Sequence, residues 1–180
     1  MFINACVREE SRTFELAKKE LENFNGDITE LVLQAEDLRP LNGGLLARRD
    51  TLLENGKTDS PMFAHARQFA EADRVVIAAP FWDLGFPSLL KIYLETIMVA
   101  GITFEYEEGI PKGLCNAKSL RYITTSGGRI HLDFGYSYIK CLAKSFFGIG
   151  DVSGIKAENL DVYSISPCEL FDKAEITEFE

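Results

Sequence analysis

Apolar runs of strand length alternate along the chain with segments of helical periodicity, and this alternation predicts βαβ units around a parallel sheet. The most apolar run, RVVIAA at residues 74–79, has the composition of a strand buried on both faces. Five strands are predicted in all, at residues 2–6, 28–33, 74–79, 120–125 and within 151–163. The last is either one interrupted strand or two short ones. The predicted fold class is therefore α/β, with helices on both faces of a parallel sheet.

Helical periodicity is found between the predicted strands. The predicted helices cover residues 13–24, 61–72, 88–100 and 136–147. Ser60 and Pro61 are typical of a helix start, and Gly101 and Gly148 stand where a helix would end in the left-handed conformation. The polar segment 34–59 is long for a loop, so we expect it to carry local structure or mobility. The tail after Pro167 has helical spacing but is short and acidic.

Length and composition are those of one globular domain. The 180 residues are 46% hydrophobic and 26% charged, and we interpret residues 1–180 as a single domain. The formal net charge of -9 argues against a nucleic-acid partner or an anionic membrane surface, although a local basic pocket can still bind phosphate. The amino-terminal residues resemble neither a signal peptide nor a membrane span, which favours a cytoplasmic location.

The cysteines give no sign of a disulfide framework or a metal site. Cys6, Cys115, Cys141 and Cys168 are far apart in sequence, with no CxxC pair and no histidine at metal-ligand spacing. We therefore expect free thiols in a reducing compartment, and no bound metal.

The loop after the first predicted strand, REESRT at residues 8–13, leads into a helix start. In a doubly wound sheet the ligand lies beyond the carboxyl ends of the strands. The hydroxyls of Ser11 and Thr13, with the unpaired N–H groups and positive dipole end of a helix, suit a phosphate group. For Ser11 two interpretations stay open, a phosphate ligand or a plain helix cap. Neither GxGxxG nor GxxxxGKS/T occurs, which counts against a Rossmann dinucleotide fold and a P-loop NTPase.

The loop after the third predicted strand, PFWDLGFPS at residues 80–88, is rich in aromatic side chains. Phe81 and Trp82, the only tryptophan, offer stacking surface to a planar ligand, and the backbone beside them offers N–H donors. The alternative is that these rings only cover the end of the sheet. The loop is therefore a candidate wall of a ring-binding site.

The loop after the fourth predicted strand, TTSGGRIH at residues 124–131, contains paired glycines. Gly127 and Gly128 let the backbone approach a flat ring closely and present N–H groups to negative charge on it. Taken alone, the two glycines also fit a plain turn. Three such loops at three strand ends favour a common binding site.

A family resemblance is carried by IAAPFWDLGFPSLLKIYLETIMVAGITFEYEEGIPKGL, ITTSGG and FFGIGDVSGIKAEN. These stretches, within residues 74–159, closely resemble the FMN-dependent NADH-azoreductase and NAD(P)H:quinone oxidoreductase family in the order and spacing of their motifs. The residues before 74 fit in outline only. The resemblance implies a flavodoxin-like three-layer sandwich, with a five-stranded parallel sheet of order 2-1-3-4-5.

The resemblance also implies an activity and an assembly. Relatives of this kind are homodimers with one FMN per subunit and sites at the subunit interface. They transfer two electrons from NADH or NADPH to quinones or azo compounds, by ping-pong hydride transfer through the flavin.

The site residues implied by the resemblance fall in the three loops. The FMN phosphate would be held by Ser11 and Thr13, with Arg12 between them and Arg8 as a further basic residue. The flavin ring would be lined by Pro80, Phe81, Trp82, Asp83 and Leu84. Its pyrimidine edge would meet Thr125, Ser126, Gly127 and Gly128.

Asp83 departs from the family pattern, which often has asparagine at this position. A carboxylate close to the ring would disfavour negative charge on the reduced flavin, unless it points away or accepts the N3 proton. We therefore expect an altered reduction potential.

His131 is the candidate catalytic residue. An imidazole has an ordinary pKa near neutrality, so it is able to donate a proton or hydrogen bond to a reduced acceptor. The alternative is a histidine on a surface loop with no catalytic role.

Two other functions stay open. A flavodoxin-type one-electron carrier would suit the negative charge, but the aromatic loop and the segment 102–114 resemble the reductases instead. A flavodoxin-fold protein that binds FMN without turnover is the other.

Overall fold

A central sheet of six strands and a separate two-stranded hairpin are found in the computed structural model, which describes residues 1–179. The strands are, in chain order, β1 (Phe2–Asn4), β2 (Glu30–Val32), β3 (Arg74–Ala78), β4 (Phe104–Glu107), β5 (Ile110–Gly113), β6 (Ser119–Thr125), β7 (Asp151–Ala157) and β8 (Ile176–Glu178). The central sheet has the order β2-β1-β3-β6-β7-β8, and β4 pairs with β5.

The central sheet is mostly parallel. Parallel pairing runs from β2 through β1, β3 and β6 to β7, whereas β8 pairs antiparallel with β7 at the edge. The prediction of five strands in the order 2-1-3-4-5 is therefore wrong in strand number, and the order is extended by the antiparallel β8. The tail that forms β8 had shown only helical spacing in the sequence.

Helices connect the strands. They are α1 (Arg12–Glu22), α2 (Gly43–Glu54), α3 (Ala64–Glu71), α4 (Ser88–Ile97), α5 (Tyr136–Leu142) and α6 (Leu170–Lys173). Short 3-10 turns cover Leu33–Ala35, Pro61–Phe63 and Pro167–Glu169, and a π-helical turn at Ala143–Phe147 extends α5. Gly148 ends that turn in the left-handed conformation, with φ of 75°.

Both faces of the central sheet are covered by helices. On one face α1 and α6 bury Leu16, Ala17 and Leu170 against strand residues such as Phe2. On the other face α3, α4 and α5 bury a larger apolar cluster that includes Phe69, Tyr93 and Ile139. This is a three-layer arrangement, in which apolar strand residues are removed from water on both sides.

The structure defines several elements more closely than the sequence. The segment 34–59 holds the helix α2, whose residues are all at least partly exposed, and the fifth predicted strand is the continuous β7 followed by turns. The predicted helix at 88–100 ends at Ile97, because the chain turns there into the hairpin of β4 and β5.

The hairpin is held close to the main body. A Cβ atom at Gly113 would lie 2.1 Å from the backbone of Phe147 and Gly148, so only glycine permits this approach of β5 to the end of the π-helical turn. Within residues 1–179, no helix is both long and apolar enough to cross a membrane.

Candidate functional site

A cavity of about 250 Å³ lies beyond the carboxyl ends of β1, β3 and β6. This is the edge of the sheet at which doubly wound proteins bind ligands. Most of the predicted binding residues line it, namely Arg8, Ser11, Arg12, Thr13, Pro80, Phe81, Trp82, Thr125 and Gly127. Asp83, Leu84, Ser126 and Gly128 lie in the same loops but outside the lining. Val7, Glu10 and Asp161 also line the cavity and were not predicted.

One wall of the cavity is the start of α1. Ser11 caps the helix, since its hydroxyl accepts a hydrogen bond from the Phe14 N–H at 3.2 Å and its carbonyl accepts one from Glu15 at 3.0 Å. The N–H groups of Arg12 and Thr13 precede the first helical hydrogen bond and have no acceptor within the helix. These donors and the positive end of the helix dipole face the cavity, so the wall suits a phosphate.

Two buried hydroxyls fix this wall to the sheet. The Oγ1 atoms of Thr13 on α1 and Thr125 on β6 lie 2.7 Å apart, and both side chains are buried. The pair joins the first and third predicted loops beside the cavity. It also satisfies both hydroxyls, whose burial without partners would be costly.

The second wall is a tight turn at the end of β3. Trp82 and Gly85 exchange backbone hydrogen bonds of 3.1 and 2.8 Å, which leaves Asp83 and Leu84 as the two central residues. Both have positive φ, at 50° and 67°. This matches a turn that requires left-handed backbone at both positions, and neither residue is glycine, so the turn stores conformational strain.

Trp82 presents its ring at the rim of the cavity. Its exposed fraction is 37%, whereas Phe81 is partly buried, and the Phe81 N–H donates to the Thr125 carbonyl at 3.0 Å. The indole is therefore not part of the apolar core. Asp83 is exposed in the turn and is not among the residues that line the cavity.

The third wall is the loop after β6, which is tied to the loop after β7. The N–H groups of Leu160 and Asp161 donate to the carbonyls of Ser126 and Gly127, at 3.2 and 2.9 Å. A Cβ atom at Gly127 would lie 2.0 Å from an Asp161 carboxylate oxygen, so a larger residue there would displace the Asp161 side chain.

His131 follows this third wall but lies outside the cavity lining. Its side chain is exposed, on an irregular segment between Gly128 and α5. The segment is anchored by the Ile130 N–H, which donates to the Glu158 carboxylate. Burial raises the pKa of Glu158, but hydrogen bonds from Lys156 and Ile130 outweigh it, and the pKa lies below its ordinary value. The catalytic role of His131 stays a prediction.

Asp161 is the main site residue that sequence reasoning missed. Its Oδ1 atom lies 2.7 Å from an Arg12 guanidinium nitrogen, and Arg12 also donates to the Ile165 carbonyl at 3.2 Å. A signal existed, because Asp161 follows β7 and must lie at the same sheet edge as the other loops.

Cys6 lies near the cavity but does not line it. Burial raises the pKa of Cys6, beside Ser11, to about 11, so the thiol stays protonated at neutral pH. No group of three or more His, Cys, Asp or Glu side chains suited to a metal ion is found within residues 1–179.

The protein is flavodoxin-like. This class is defined by the order of the strands, the free N–H groups at the start of α1 and the aromatic turn after β3. A family model described as flavodoxin-like fold matches residues 1–175. A solved structure of an FMN-dependent NADH-azoreductase from Bacillus anthracis, in complex with FMN, is 26% identical with a TM-score of 0.75. The match covers 95% of this chain and 91% of the azoreductase.

Closer sequence relatives refine the class. An FMN-dependent NADH:quinone oxidoreductase from Clostridium perfringens is 34% identical, over 92% of this chain and 88% of that protein. An FMN-dependent NADH:quinone oxidoreductase 2 from Clostridium acetobutylicum is 37% identical, over 90% of this chain and 86% of that protein. The chain belongs to the family of FMN-dependent NADH:quinone oxidoreductases.

Proposed function

We propose that this protein is an FMN-dependent oxidoreductase that transfers two electrons from NADH to quinones or azo compounds. The observation that carries the proposal is the cavity itself, which combines an open helix start with an aromatic turn at the ligand edge of the sheet. The family relatives named for this activity support it. The whole chain would act as one FMN-binding domain.

The residues at the start of α1 fit the phosphate of FMN. Free backbone N–H groups at Arg12 and Thr13 would donate to its oxygens, and Arg12 and Arg8 would supply positive charge. Ser11 acts both as the helix cap and as part of the cavity lining. A single short cradle suits FMN better than the pyrophosphate of FAD.

The two glycine-containing loops fit the flavin ring. The turn from Pro80 to Leu84 would support one side of the ring, with Trp82 as its aromatic surface. The loop from Thr125 to Gly128 would present backbone N–H groups to the pyrimidine edge. Because Asp83 is exposed and outside the cavity lining, we expect its carboxylate to act on the reduction potential only through repulsion that solvent screens.

The chain's own part in the reaction is positioning. Bound FMN supplies the redox chemistry, because its ring accepts two electrons from NADH and passes them to the acceptor. The turn at Trp82 and the loop at Gly127 would position the donor and then the acceptor beside bound FMN, as ping-pong exchange requires. His131 would donate a proton to the reduced acceptor from the loop beside the cavity.

A homodimer with the site at the subunit interface is the proposed assembly. Trp82 lines the cavity, and exposed apolar side chains lie near it in sequence, on the loop bonded to its turn or on α5. We call this set the apolar rim: Trp82, Leu84, Phe134 and Tyr138. The Phe134 N–H donates to the Leu84 carbonyl at 2.9 Å, so the two loops form one surface. A second copy of the chain would cover this rim, since contiguous exposed apolar surface marks an interaction site.

The compartment is proposed from the thiols. All four cysteines are free, and Cys141 and Cys168 are exposed, which fits the reducing cytoplasm. The net charge of -9 supports small-molecule partners over nucleic acid.

A steady-state assay tests the proposed function. FMN-loaded protein is given NADH and a soluble quinone, with both concentrations varied, and NADH oxidation is followed by absorbance. Ping-pong exchange predicts parallel lines in double-reciprocal plots. FMN binding without quinone-dependent NADH oxidation would contradict the proposal and leave either a one-electron carrier or a binding protein.

A further inference from the structure

The loop after β7 places a carboxylate inside the phosphate-binding end of the cavity. Asp161 is fixed there by backbone bonds, because its N–H donates to the Gly127 carbonyl at 2.9 Å and the Ile165 N–H donates to the Leu160 carbonyl at 2.8 Å. Left-handed backbone at Asn159 and Ser164 shapes the same loop. The fold therefore fixes the backbone from which this carboxylate reaches the cavity.

Asp161 is paired with the cation that the phosphate would use. Its carboxylate lies 2.7 Å from the Arg12 guanidinium, whose side chain is 20% exposed, against 72% for Asp161. Arg12 is further held by the Ile165 carbonyl. The arginine is thus the fixed member of the pair, and the aspartate is the member that solvent reaches.

The formal charges that line the cavity balance. Arg8 and Arg12 are its cations, and Glu10 and Asp161 are its carboxylates. A phosphate at the start of α1 would have to share the Arg12 guanidinium with the Asp161 carboxylate, which already pairs with it. The backbone N–H groups at the start of α1 are not paired with Asp161. Asp161 would therefore weaken only the ionic contact between Arg12 and the phosphate.

We propose that Asp161 is a specificity residue that competes with the flavin phosphate for Arg12. This inference rests on the proposed function. The ratio of FMN affinity to riboflavin affinity would therefore be smaller than the start of α1 and the two arginines would give without the Asp161 carboxylate. Removing the carboxylate should therefore strengthen binding of the phosphorylated flavin only.

Equilibrium titration followed by flavin fluorescence tests this, with FMN and riboflavin as the two probes. Asp161→Asn keeps the side-chain shape and removes the charge. We expect its Kd for FMN to fall about tenfold, with riboflavin affinity unchanged, since tenfold corresponds to about 1.4 kcal/mol. Asp27→Asn is the matched control, because Asp27 is exposed at the opposite edge of the sheet and should alter neither Kd.

Arg12→Gln shows whether Asp161 acts through the arginine. In that background the Asp161→Asn change should no longer improve FMN affinity, because the contested cation is gone. Asp161→Ala is a second variant that must tighten FMN binding in the same direction. Circular dichroism establishes that each variant is folded.

The outcomes separate the two proposals. If the wild-type protein binds FMN and Asp161→Asn binds it no more tightly, or more weakly, Asp161 supports Arg12 and the competition is overturned. Equal tightening of riboflavin would also overturn it, because the effect would not concern the phosphate. If the wild-type protein binds neither flavin, the proposed function fails and this inference fails with it.

Discussion

At the scale of single residues, the cavity depends on a few buried polar contacts that join separate loops. The hydroxyl pair of Thr13 and Thr125 is the clearest case, with both side chains buried and 2.7 Å between the oxygens. The sequence predicted both threonines as site residues. It could not show that they bond each other, because they are far apart in the chain and meet only in the folded sheet.

Thr13→Val should weaken both the fold and flavin binding. It leaves the Thr125 hydroxyl buried without a partner, which costs roughly 1–3 kcal/mol of unfolding free energy. FMN affinity should fall by about tenfold, since a charge-assisted hydrogen bond to phosphate is lost. Urea unfolding and flavin titration measure the two effects. Thr13→Ser, which keeps the hydroxyl, is the control. Unchanged affinity in Thr13→Val would leave Thr13 with a structural role alone.

Trp82→Ala should reduce turnover far more than stability. The indole is exposed at the cavity rim, and the turn is held by backbone bonds that do not need the ring. We expect unfolding free energy to change by less than about 1 kcal/mol, because few core contacts are lost. NADH oxidation with a quinone should fall by about tenfold, and bound FMN should quench wild-type tryptophan fluorescence. Trp82→Phe, which keeps a ring, should retain most activity. A variant that unfolds easily but turns over normally would make Trp82 a packing residue.

At the scale of elements, the sequence predicts those parts whose pattern reflects burial. The strand RVVIAA and the helix α4 were found because their apolar residues face the core. The helix α2 was missed, because none of its residues is buried and no apolar stripe results. The edge strand β8 was missed because it is three residues long and its pairing with β7 is not local.

The hairpin of β4 and β5 had a local signal that went unused. Glu108 and Gly109 are its two central residues, with φ of 51° and 82°. A two-residue turn that contains glycine, flanked by segments in which apolar and polar residues alternate, is typical of a hairpin. The family resemblance covered these residues without specifying their pairing.

Leu84→Gly should stabilise the turn at the cavity rim. Leu84 has φ of 67° and is 48% exposed, so glycine relieves strain and loses little packing. The net gain in unfolding free energy should be roughly 0.5–1 kcal/mol, after the entropy cost of glycine in the unfolded chain. Leu84→Ala keeps the Cβ atom and the strain, and it should give no gain. Chemical denaturation of both variants decides this, and a loss in Leu84→Gly would mean that the leucine packs more than its exposure indicates.

At the scale of the whole molecule, the fold class and the location of the site follow from the sequence. Alternating strands and helices imply a ligand edge, and Ser11, Trp82 and Gly127 meet at that edge in the structure. The balance of charges in the cavity could not be predicted from the sequence. Asp161 lies in a loop shaped by left-handed backbone at residues that are not glycine, so the sequence does not indicate the turn.

Phe134→Glu should convert the proposed dimer into monomers. Phe134 is 60% exposed on the apolar rim, and a carboxylate there would be buried without a partner at a subunit interface. Sedimentation velocity should show one dimeric species for the wild-type protein and a monomer for the variant. Ile28→Glu places the same charge on an exposed apolar residue before β2, at the opposite edge of the sheet, and should leave the dimer intact. A monomeric wild-type protein would contradict the proposed assembly.

The most direct test of the central claim is the visible absorbance of the FMN-loaded protein under anaerobic conditions. We predict that the desalted protein retains one flavin per chain, and that the released flavin is FMN. NADH should bleach the flavin absorbance, and one equivalent of a soluble quinone should restore it in a single two-electron step. Failure to retain FMN, or retained FMN that NADH does not bleach, would contradict the account.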